Sequence, residues 1–256
     1  MKHAFAFAAL LAAAPAAAQD EPIEPSGPAE APLGAASGFD LSGEIVLLSD
    51  YRFRGVSRSD EDPALQAALT LSHASGFYAG ARGTTLTGLD SFRVRDPGFR
   101  DLGDAQLDLY AGYGAPIGGG WEVDAGLLYY VFAGTDGPSD YLEPYASLSY
   151  LIGPAYATAG AKYAPSQRAI GGEDMLYLFG QLDVAIPFQP WSLSAQAGRQ
   201  DWGRFGAHWT WSLGLERQLR FRGLPDAEVA ARYVDTDLPD RPGQDAGLIL
   251  SLAILF

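Results

Sequence analysis

The sequence predicts an all-β protein, a transmembrane antiparallel up-and-down β-barrel of about twelve strands. Three observations lead to this fold. Apolar and polar residues alternate with a period of two from residue 39 onward, as in strands with one apolar face. The connections between these segments are alternately short and long, and aromatic residues cluster at the segment ends. A soluble sandwich explains the alternation but gives no reason for two aromatic bands.

The N-terminal region precedes the barrel and has a different composition. Residues 1–18 have the features of a secretory signal peptide: a short polar start, an apolar core too short to span a bilayer, and a cleavage motif ending at Ala18. Residues 19–38 are rich in Pro, Ala, Glu and Gly, so we expect a disordered periplasmic leader. The barrel is expected over 39–256, in the bacterial outer membrane.

Composition limits the possible functions. The chain has no Cys, so disulfide bonds do not stabilise it, whereas a membrane barrel is stabilised by a fully paired backbone. The net charge of −14 argues against a nucleic-acid partner, because binding to phosphates needs clustered Lys and Arg. No cofactor and no dedicated metal site are expected, since the acidic loop segments 59–63 and 234–240 lack the full EF-hand spacing.

Turn signals divide the barrel region into twelve alternating segments of about ten to fourteen residues, a length that suits tilted membrane strands. The predicted strands are 41–55, 63–74, 77–86, 104–114, 121–133, 141–152, 155–164, 174–186, 191–200, 207–219, 226–234 and the C-terminal strand within 245–256. In the first of them the outward residues are predicted to be Ile45, Leu47, Tyr51 and Phe53.

The final strand has the cleanest apolar face. Its outward residues are predicted to be Leu248, Leu250, Leu252, Ile254 and Phe256. This alternating end with a terminal Phe resembles the signal that bacterial barrel-assembly machinery recognises, so we expect that machinery as a partner. Outer-membrane lipid and lipopolysaccharide are expected around the barrel.

The aromatic residues fall into two predicted bands at the levels of the lipid headgroups. The band near the short turns consists of Trp121, Phe188, Trp191 and Phe221. The band near the long loops consists of Tyr51, Phe53, Trp209 and Trp211.

Several stretches resemble the TorF-type family of bacterial outer-membrane porins. The similar segments are SDYRFRGVS (49–57), PALQ (63–66), SGFYAG (75–80), DLYAGY (108–113), Tyr129-Tyr130 and Tyr141-Leu142-Glu143. They cover the first half of the predicted barrel well and the second half only through general strand character. The resemblance implies an outer-membrane barrel with a channel, and it supplies neither a substrate nor catalytic residues.

The inward positions carry ionisable side chains, which require water or partners because an unpaired buried charge is costly. The candidates for a constriction in the middle and outer half are Asp50, Arg52, Arg54, Arg82, Asp108, Glu143, Lys162 and Arg232. The candidates for an acidic periplasmic vestibule are Glu44, Glu122, Asp124, Asp183, Glu216 and Glu228. Since rings of charge select solutes in channels, we expect passive diffusion of small hydrophilic solutes or ions.

Three alternatives remain open at this stage, one of which is a structural anchor or adhesin, although the loops are short for adhesion. Twelve strands enclose a narrow bore, so the same charges and several Tyr side chains are also compatible with a narrow or plugged structural barrel. A lipid hydrolase would need a Ser nucleophile and a His base on the lipid-facing surface. His73 and His208 are the two histidines of the mature chain, and neither has a Ser partner at a persuasive spacing, so we expect no catalytic residues.

Overall fold

A computed structural model describes residues 38–86, 103–135, 137–223 and 225–256. The predicted signal peptide and all but the last residue of the predicted leader lie outside the described residues. The strands are β1 (Phe39–Leu48), β2 (Arg52–Phe53), β3 (Val56–Ser57), β4 (Ala64–His73), β5 (Phe77–Thr85), β6 (Ala105–Gly118), β7 (Trp121–Ala133), β8 (Tyr141–Ile152), β9 (Ala155–Ala164), β10 (Met175–Ala185), β11 (Trp191–Asp201), β12 (Ala207–Leu219), β13 (Asp226–Thr236) and β14 (Gly247–Leu255). Short 3₁₀ helices span Arg168–Ile170 and Gly203–Phe205.

Within the described residues, β1 and β4–β14 form a closed antiparallel barrel of twelve strands, which confirms the predicted fold class and strand number. Each strand pairs with the preceding and following barrel strands, and β1 pairs with β14 to close the sheet. At the closure Gly43 and Phe256 exchange both backbone hydrogen bonds, at N···O distances of 2.7 and 2.9 Å. Among the described residues no helix is long and apolar enough to cross a membrane.

The two faces of the barrel wall follow the period-two alternation of the sequence. On the closing strand β14 the outward side chains Leu248 and Leu250 are 66% and 55% exposed, whereas the inward Ile249 is 3% exposed. Polar inward side chains such as Gln66 and Glu143 are buried. The barrel therefore has an apolar outer surface and a largely polar interior, the reverse of a soluble protein.

The connections define two ends of the barrel. We call the end that carries the turns after β4, β6, β8, β10 and β12 the short-turn end; it also carries Phe256. The opposite end carries the connections after β1, β5, β7, β9, β11 and β13, and we call it the long-loop end.

Glycines on the inner wall make room for flat aromatic rings. Tyr78, Gly112, Gly126 and Tyr145 occupy one row across β5, β6, β7 and β8. The two tyrosine rings cross over the two glycines, and their hydroxyl groups hydrogen-bond to each other. Tyr78 Oη also donates to Asp124 Oδ1 at 2.7 Å. The high glycine content thus lets aromatic side chains lie along the wall.

The prediction of a first strand over 41–55 is wrong at its C-terminal end. Strand β1 ends at Leu48, and the chain then turns inward instead of continuing along the wall. Arg54 and Gly55 have positive φ values of 53° and 84° and form the two-residue turn between β2 and β3. Two successive residues with positive φ are typical of the tight turn of a β-hairpin. The alternation of charges through Arg54 therefore belongs to a hairpin and not to a membrane strand.

The inward course of the chain after β1 also corrects the predicted aromatic band near the long loops. Tyr51 and Phe53 are 1% and 6% exposed and lie inside the barrel, so their assignment to the outer band is wrong. Trp209 and Trp211 at the long-loop end are 49% and 39% exposed. At the other end Trp121, Phe188 and Phe221 are also exposed.

Strand β6 also differs from its predicted bounds of 104–114. It extends to Gly118, with a register shift between Pro116 and Gly118.

We predict that Gly112→Ala destabilises the barrel and that Gly83→Ala does not. A Cβ atom at Gly112 would overlap the Tyr78 ring, whereas nothing lies within 4 Å of a Cβ atom at Gly83. Overpacking at Gly112 is expected to lower the free energy of unfolding by about 1–3 kcal/mol. At Gly83 the loss of backbone freedom in the unfolded chain is expected to raise it by about 0.4–1 kcal/mol. Urea unfolding in detergent micelles measures both values, and equal effects would contradict the proposed role of Gly112.

Candidate functional site

The connection between β1 and β4 enters the barrel interior from the long-loop end. We call residues 49–63 the inner loop; it contains the hairpin of β2 and β3, in which Arg52 pairs with Ser57 and Phe53 with Val56. Strands β1 and β4 are direct neighbours, and Leu48 pairs with Ala64 at the point where the inner loop leaves the wall. The barrel wall is therefore continuous without the inner loop.

Asp50 organises the base of the inner loop. Its carboxylate accepts hydrogen bonds from Arg52 Nε at 2.7 Å, Ser57 Oγ at 2.6 Å and Ser59 Oγ at 3.1 Å. Arg52 also donates to the backbone carbonyl of Asp245, in the connection between β13 and β14. The charges of Asp50 and Arg52 are thus satisfied within the loop and its immediate surroundings.

Arg54, at the tip of the hairpin, joins the inner loop to the barrel wall. Its Nη2 atom donates to both carboxylate oxygens of Glu143 on β8, each at 2.8 Å. Its guanidinium group stacks over the ring of Tyr177 on β10, 4.5 Å from the centroid. Nε2 of His208 on β12 lies 3.1 Å from the Arg54 carbonyl oxygen. The tip therefore contacts wall strands on different sides of the barrel, and the Arg54 and Glu143 side chains are 1% and 0% exposed.

The remaining contacts of the inner loop are aromatic. Phe53 packs edge to face against Tyr130 on β7, with a centroid distance of 5.8 Å. Arg58 lies over the Phe53 ring at 3.5 Å and donates to Gln106 Oε1 at 2.5 Å. Burial raises the pKa of the Tyr51 phenol well above its ordinary value, so this side chain stays neutral.

The inner loop fills the lumen at its level. Gln106, Asp108 and Glu143 on the wall around it are 0% exposed, and Lys162 on β9 is 1% exposed. In the described part of the chain these inward groups contact protein atoms rather than a column of water. At this level the interior is therefore filled by a loop, and the wall residues face that loop.

The structure divides the predicted constriction residues into two groups. Asp50, Arg52 and Arg54 lie on the inner loop, with Asp108, Glu143 and Lys162 on the wall close to its level. The other two residues pair with predicted vestibule residues: Arg82 Nη2 is 3.2 Å from Glu44 Oε1, and Arg232 Nη2 is 2.9 Å from Glu216 Oε1. These ion pairs were not predicted, because partners on different strands meet only once the sheet has closed.

All six predicted vestibule residues project from the inner wall towards the short-turn end. Tyr156 Oη donates to Glu122 at 3.3 Å, and Gln181 Nε2 donates to Asp183 at 2.7 Å. The partners of Glu216 are Ser192 Oγ at 3.0 Å, Ser194 Oγ at 2.6 Å and Arg232. Glu228 is 2% exposed. We call the set of Glu44, Glu122, Asp124, Asp183, Glu216 and Glu228 the acidic vestibule.

The two histidines have the surroundings of structural residues. His73 lies at the end of β4, where its Nδ1 atom accepts a hydrogen bond from the Ser75 backbone N–H at 3.2 Å and lies 2.6 Å from Ser75 Oγ. These contacts stabilise the turn between β4 and β5. His208 contacts the Arg54 backbone inside the barrel. His208 therefore faces away from the lipid, where the substrate of a lipid hydrolase would lie.

A family model described as "Bacterial protein of unknown function (Gcw_chp)" matches residues 32–245. The chain belongs to this family. No curated protein sequence matches this Gcw_chp chain.

Solved porin structures share the fold. The NanC porin in a rhombohedral crystal form has a TM-score of 0.54 at 13% identity, over 85% of this chain and 99% of that chain. The KdgM porin has a TM-score of 0.55 at 9% identity, over 84% and 99%. The KdgM porin in complex with disordered oligogalacturonate has a TM-score of 0.52 at 7% identity, over 84% and 98%. At these identities the likeness shows a porin-like barrel fold.

Sequence reasoning missed the participation of Arg58, Tyr177 and Gln200 in the site. Gln200 Oε1 lies 3.4 Å from Arg54 Nη1, although 146 positions separate the two residues. One local signal was available: Gly55 directly follows Arg54 at the end of the predicted strand 41–55, and glycine is a common turn residue.

We predict that Arg54→Ala destabilises this Gcw_chp protein by about 3–5 kcal/mol, because it leaves the buried Glu143 carboxylate without its cation. Urea unfolding in detergent measures the loss. The double variant Arg54→Ala/Glu143→Ala is expected to lose less than the sum of the single variants, since the two groups interact directly. Arg204→Ala is the control: the Arg204 side chain is 64% exposed, and the change should stay within about 0.5 kcal/mol. Additive losses would contradict the pairing.

Proposed function

We propose that this Gcw_chp protein is an outer-membrane porin-like channel for small hydrophilic solutes or ions, with the inner loop as its constriction. One observation carries the proposal: the closed barrel has an apolar outer surface and an interior rich in charged and hydrogen-bonded side chains. Such a wall is stable in lipid, where every backbone group must be paired. A polar interior costs least when water and solutes can enter it.

The proposal includes a location and an orientation. The porin-like fold supports the outer membrane, and the N-terminal signal features support export. In outer-membrane barrels the short turns face the periplasm, which would place the acidic vestibule on the periplasmic side and the inner loop towards the outer side.

We further propose that the chain is a TorF-type porin and that assembly uses the strand ending at Phe256. Outer-membrane lipid and lipopolysaccharide would surround the barrel.

The inner loop suits a constriction that moves. It is held by side-chain contacts to the wall, above all Arg54 with Glu143, and by two backbone hydrogen bonds, from Ser49 N to Leu250 O at 2.9 Å and from Ser57 N to Gly243 O at 2.7 Å. Because β1 and β4 pair with each other directly, displacement of the loop beyond Ser49 would leave the pairing of the barrel strands intact. Since the lumen is filled at this level, conduction requires the loop to shift or the polar contacts around it to exchange with water.

A second candidate function is a closed structural barrel. The burial of Arg54, Glu143 and Gln106 around the hairpin of the inner loop favours it, because these three side chains are closed off from solvent. The two functions differ in a measurable way: a channel conducts in a bilayer, at least after the inner loop is removed, and a structural barrel with a permanently filled lumen has no need of a conducting path.

We predict that removal of the inner loop increases conductance. Because Leu48 and Ala64 face each other across β1 and β4, residues 49–63 can be replaced by Asn-Gly, which forms the two-residue turn of a hairpin. In planar lipid bilayers we expect small or rare conductance steps for the natural protein and larger, persistent steps for the loop-replaced variant. Liposome swelling should show the same order for small sugars and amino acids.

Arg204→Ala serves as the control variant, because its side chain lies on the exposed rim and not in the lumen. Its conductance should equal that of the natural protein. If neither the natural protein nor the loop-replaced variant conducts, while both show the heat-dependent gel mobility of folded barrels, the channel is excluded and the structural barrel remains.

A further inference from the structure

The charges of the interior are distributed unequally along the barrel. Around the inner loop, positive and negative groups pair closely, as in Arg52 with Asp50 and Arg54 with Glu143. The acidic vestibule instead contains six carboxylates, and two arginines lie against them. Arg82 pairs with Glu44 and Arg232 pairs with Glu216. The other four carboxylates of the acidic vestibule have no ion-pair partner among the described residues.

Glu216 and Glu228 differ sharply in their partners. Both carboxylate oxygens of Glu216 have hydrogen-bond partners, which are two serine hydroxyl groups and the Arg232 guanidinium. Glu228 projects from the same inner face of neighbouring strands, and its side chain is buried. Among the described residues, no hydrogen-bond partner lies within reach of the buried Oε2 atom of Glu228. A second carboxylate thus lies beside one that has already used the local cation.

A buried carboxylate oxygen without a partner is costly, and a mobile positive ion in the lumen would reduce that cost. The acidic side chains on the opposite wall extend the negative region across the lumen. Glu122 and Asp124 on β7 each have one buried carboxylate oxygen without a hydrogen-bond partner among the described residues. The other oxygen of each carboxylate accepts a hydrogen bond from a tyrosine hydroxyl group, Tyr156 for Glu122 and Tyr78 for Asp124.

We propose that the acidic vestibule is a selectivity site for small monovalent cations, with Glu228 as a specificity-determining residue. This inference rests on the proposed channel function and adds its substrate class. The described residues contain no group of three or more His, Asp or Glu side chains able to hold a metal ion together. The carboxylates are thus spread along the wall, an arrangement that attracts passing cations without retaining one tightly. Anionic solutes, such as acidic oligosaccharides, would be repelled at this end.

The test measures reversal potentials across planar bilayers with a KCl gradient, using the natural protein and the loop-replaced variant described above. We expect potassium to permeate better than chloride in both proteins. Glu228→Gln should lower the potassium-to-chloride permeability ratio by about fivefold, the factor that corresponds to ~1 kcal/mol for a unit charge about 4 Å from the ion in water. The isosteric control Glu173→Gln changes a residue in the connection between β9 and β10, outside the lumen, and should leave the ratio unchanged.

A second lumen variant keeps the test informative if Glu228→Gln does not fold. Asp183→Asn removes a charge from a partly exposed vestibule residue and should lower the ratio in the same direction. Heat-dependent gel mobility verifies that every variant is folded. Conductance with a chloride preference, or an unchanged ratio in both lumen variants, overturns the cation site and leaves the channel intact. Absence of conductance in all variants overturns the channel and the cation site together.

Discussion

Closure of the sheet is the constraint on which the rest of the structure depends. In lipid an unpaired backbone group has no water to bind, so each strand must be paired on both edges. The pairing of β1 with β14 removes the last two edges, and the Gly43–Phe256 hydrogen bonds complete it at the short-turn end. Once closed, the sheet assigns alternate side chains to lipid and to the interior. The apolar face of the C-terminal strand and the buried charges of the opposite face are two consequences of one geometry.

The interior is packed by two different devices. On the wall, inward glycines accept the rings of neighbouring tyrosines, as Gly112 accepts Tyr78, so that large side chains lie flat. In the lumen, the inner loop supplies a small core of its own, in which Phe53 meets Tyr130 and Arg54 meets Glu143. The first device belongs to the barrel, whereas the second can be removed without breaking the wall. This separation makes the inner loop suitable as a constriction. In the proposed channel, selection among the permeating ions is left to the acidic vestibule.

The limits of sequence reasoning are clearest at residues 49–57. Asp50, Arg52 and Arg54 alternate with Tyr51 and Phe53, and that local pattern is indistinguishable from a strand with a polar and an apolar face. The structure places all five inside the barrel, because the chain leaves the wall after Leu48 and then reverses at Arg54 and Gly55, which have positive φ values. A period of two reports extended backbone, and it does not report whether the extended backbone joins the wall or folds into the lumen. The ion pairs Arg82–Glu44 and Arg232–Glu216 could not be predicted from the sequence either, since the register between strands decides which side chains meet.

The sequence by itself determined the fold class, the number of strands, and which face of most strands meets lipid, because these follow from local alternation and from turn residues. It also predicted which carboxylates of the regular strands face inward, while their role as a periplasmic vestibule stays a prediction. Only the tertiary structure decided that residues 49–63 fill the lumen, that Glu216 pairs with Arg232, and that the buried Oε2 atom of Glu228 has no hydrogen-bond partner among the described residues. Those features depend on contacts between residues distant in the chain, and such contacts exist only after the sheet has closed.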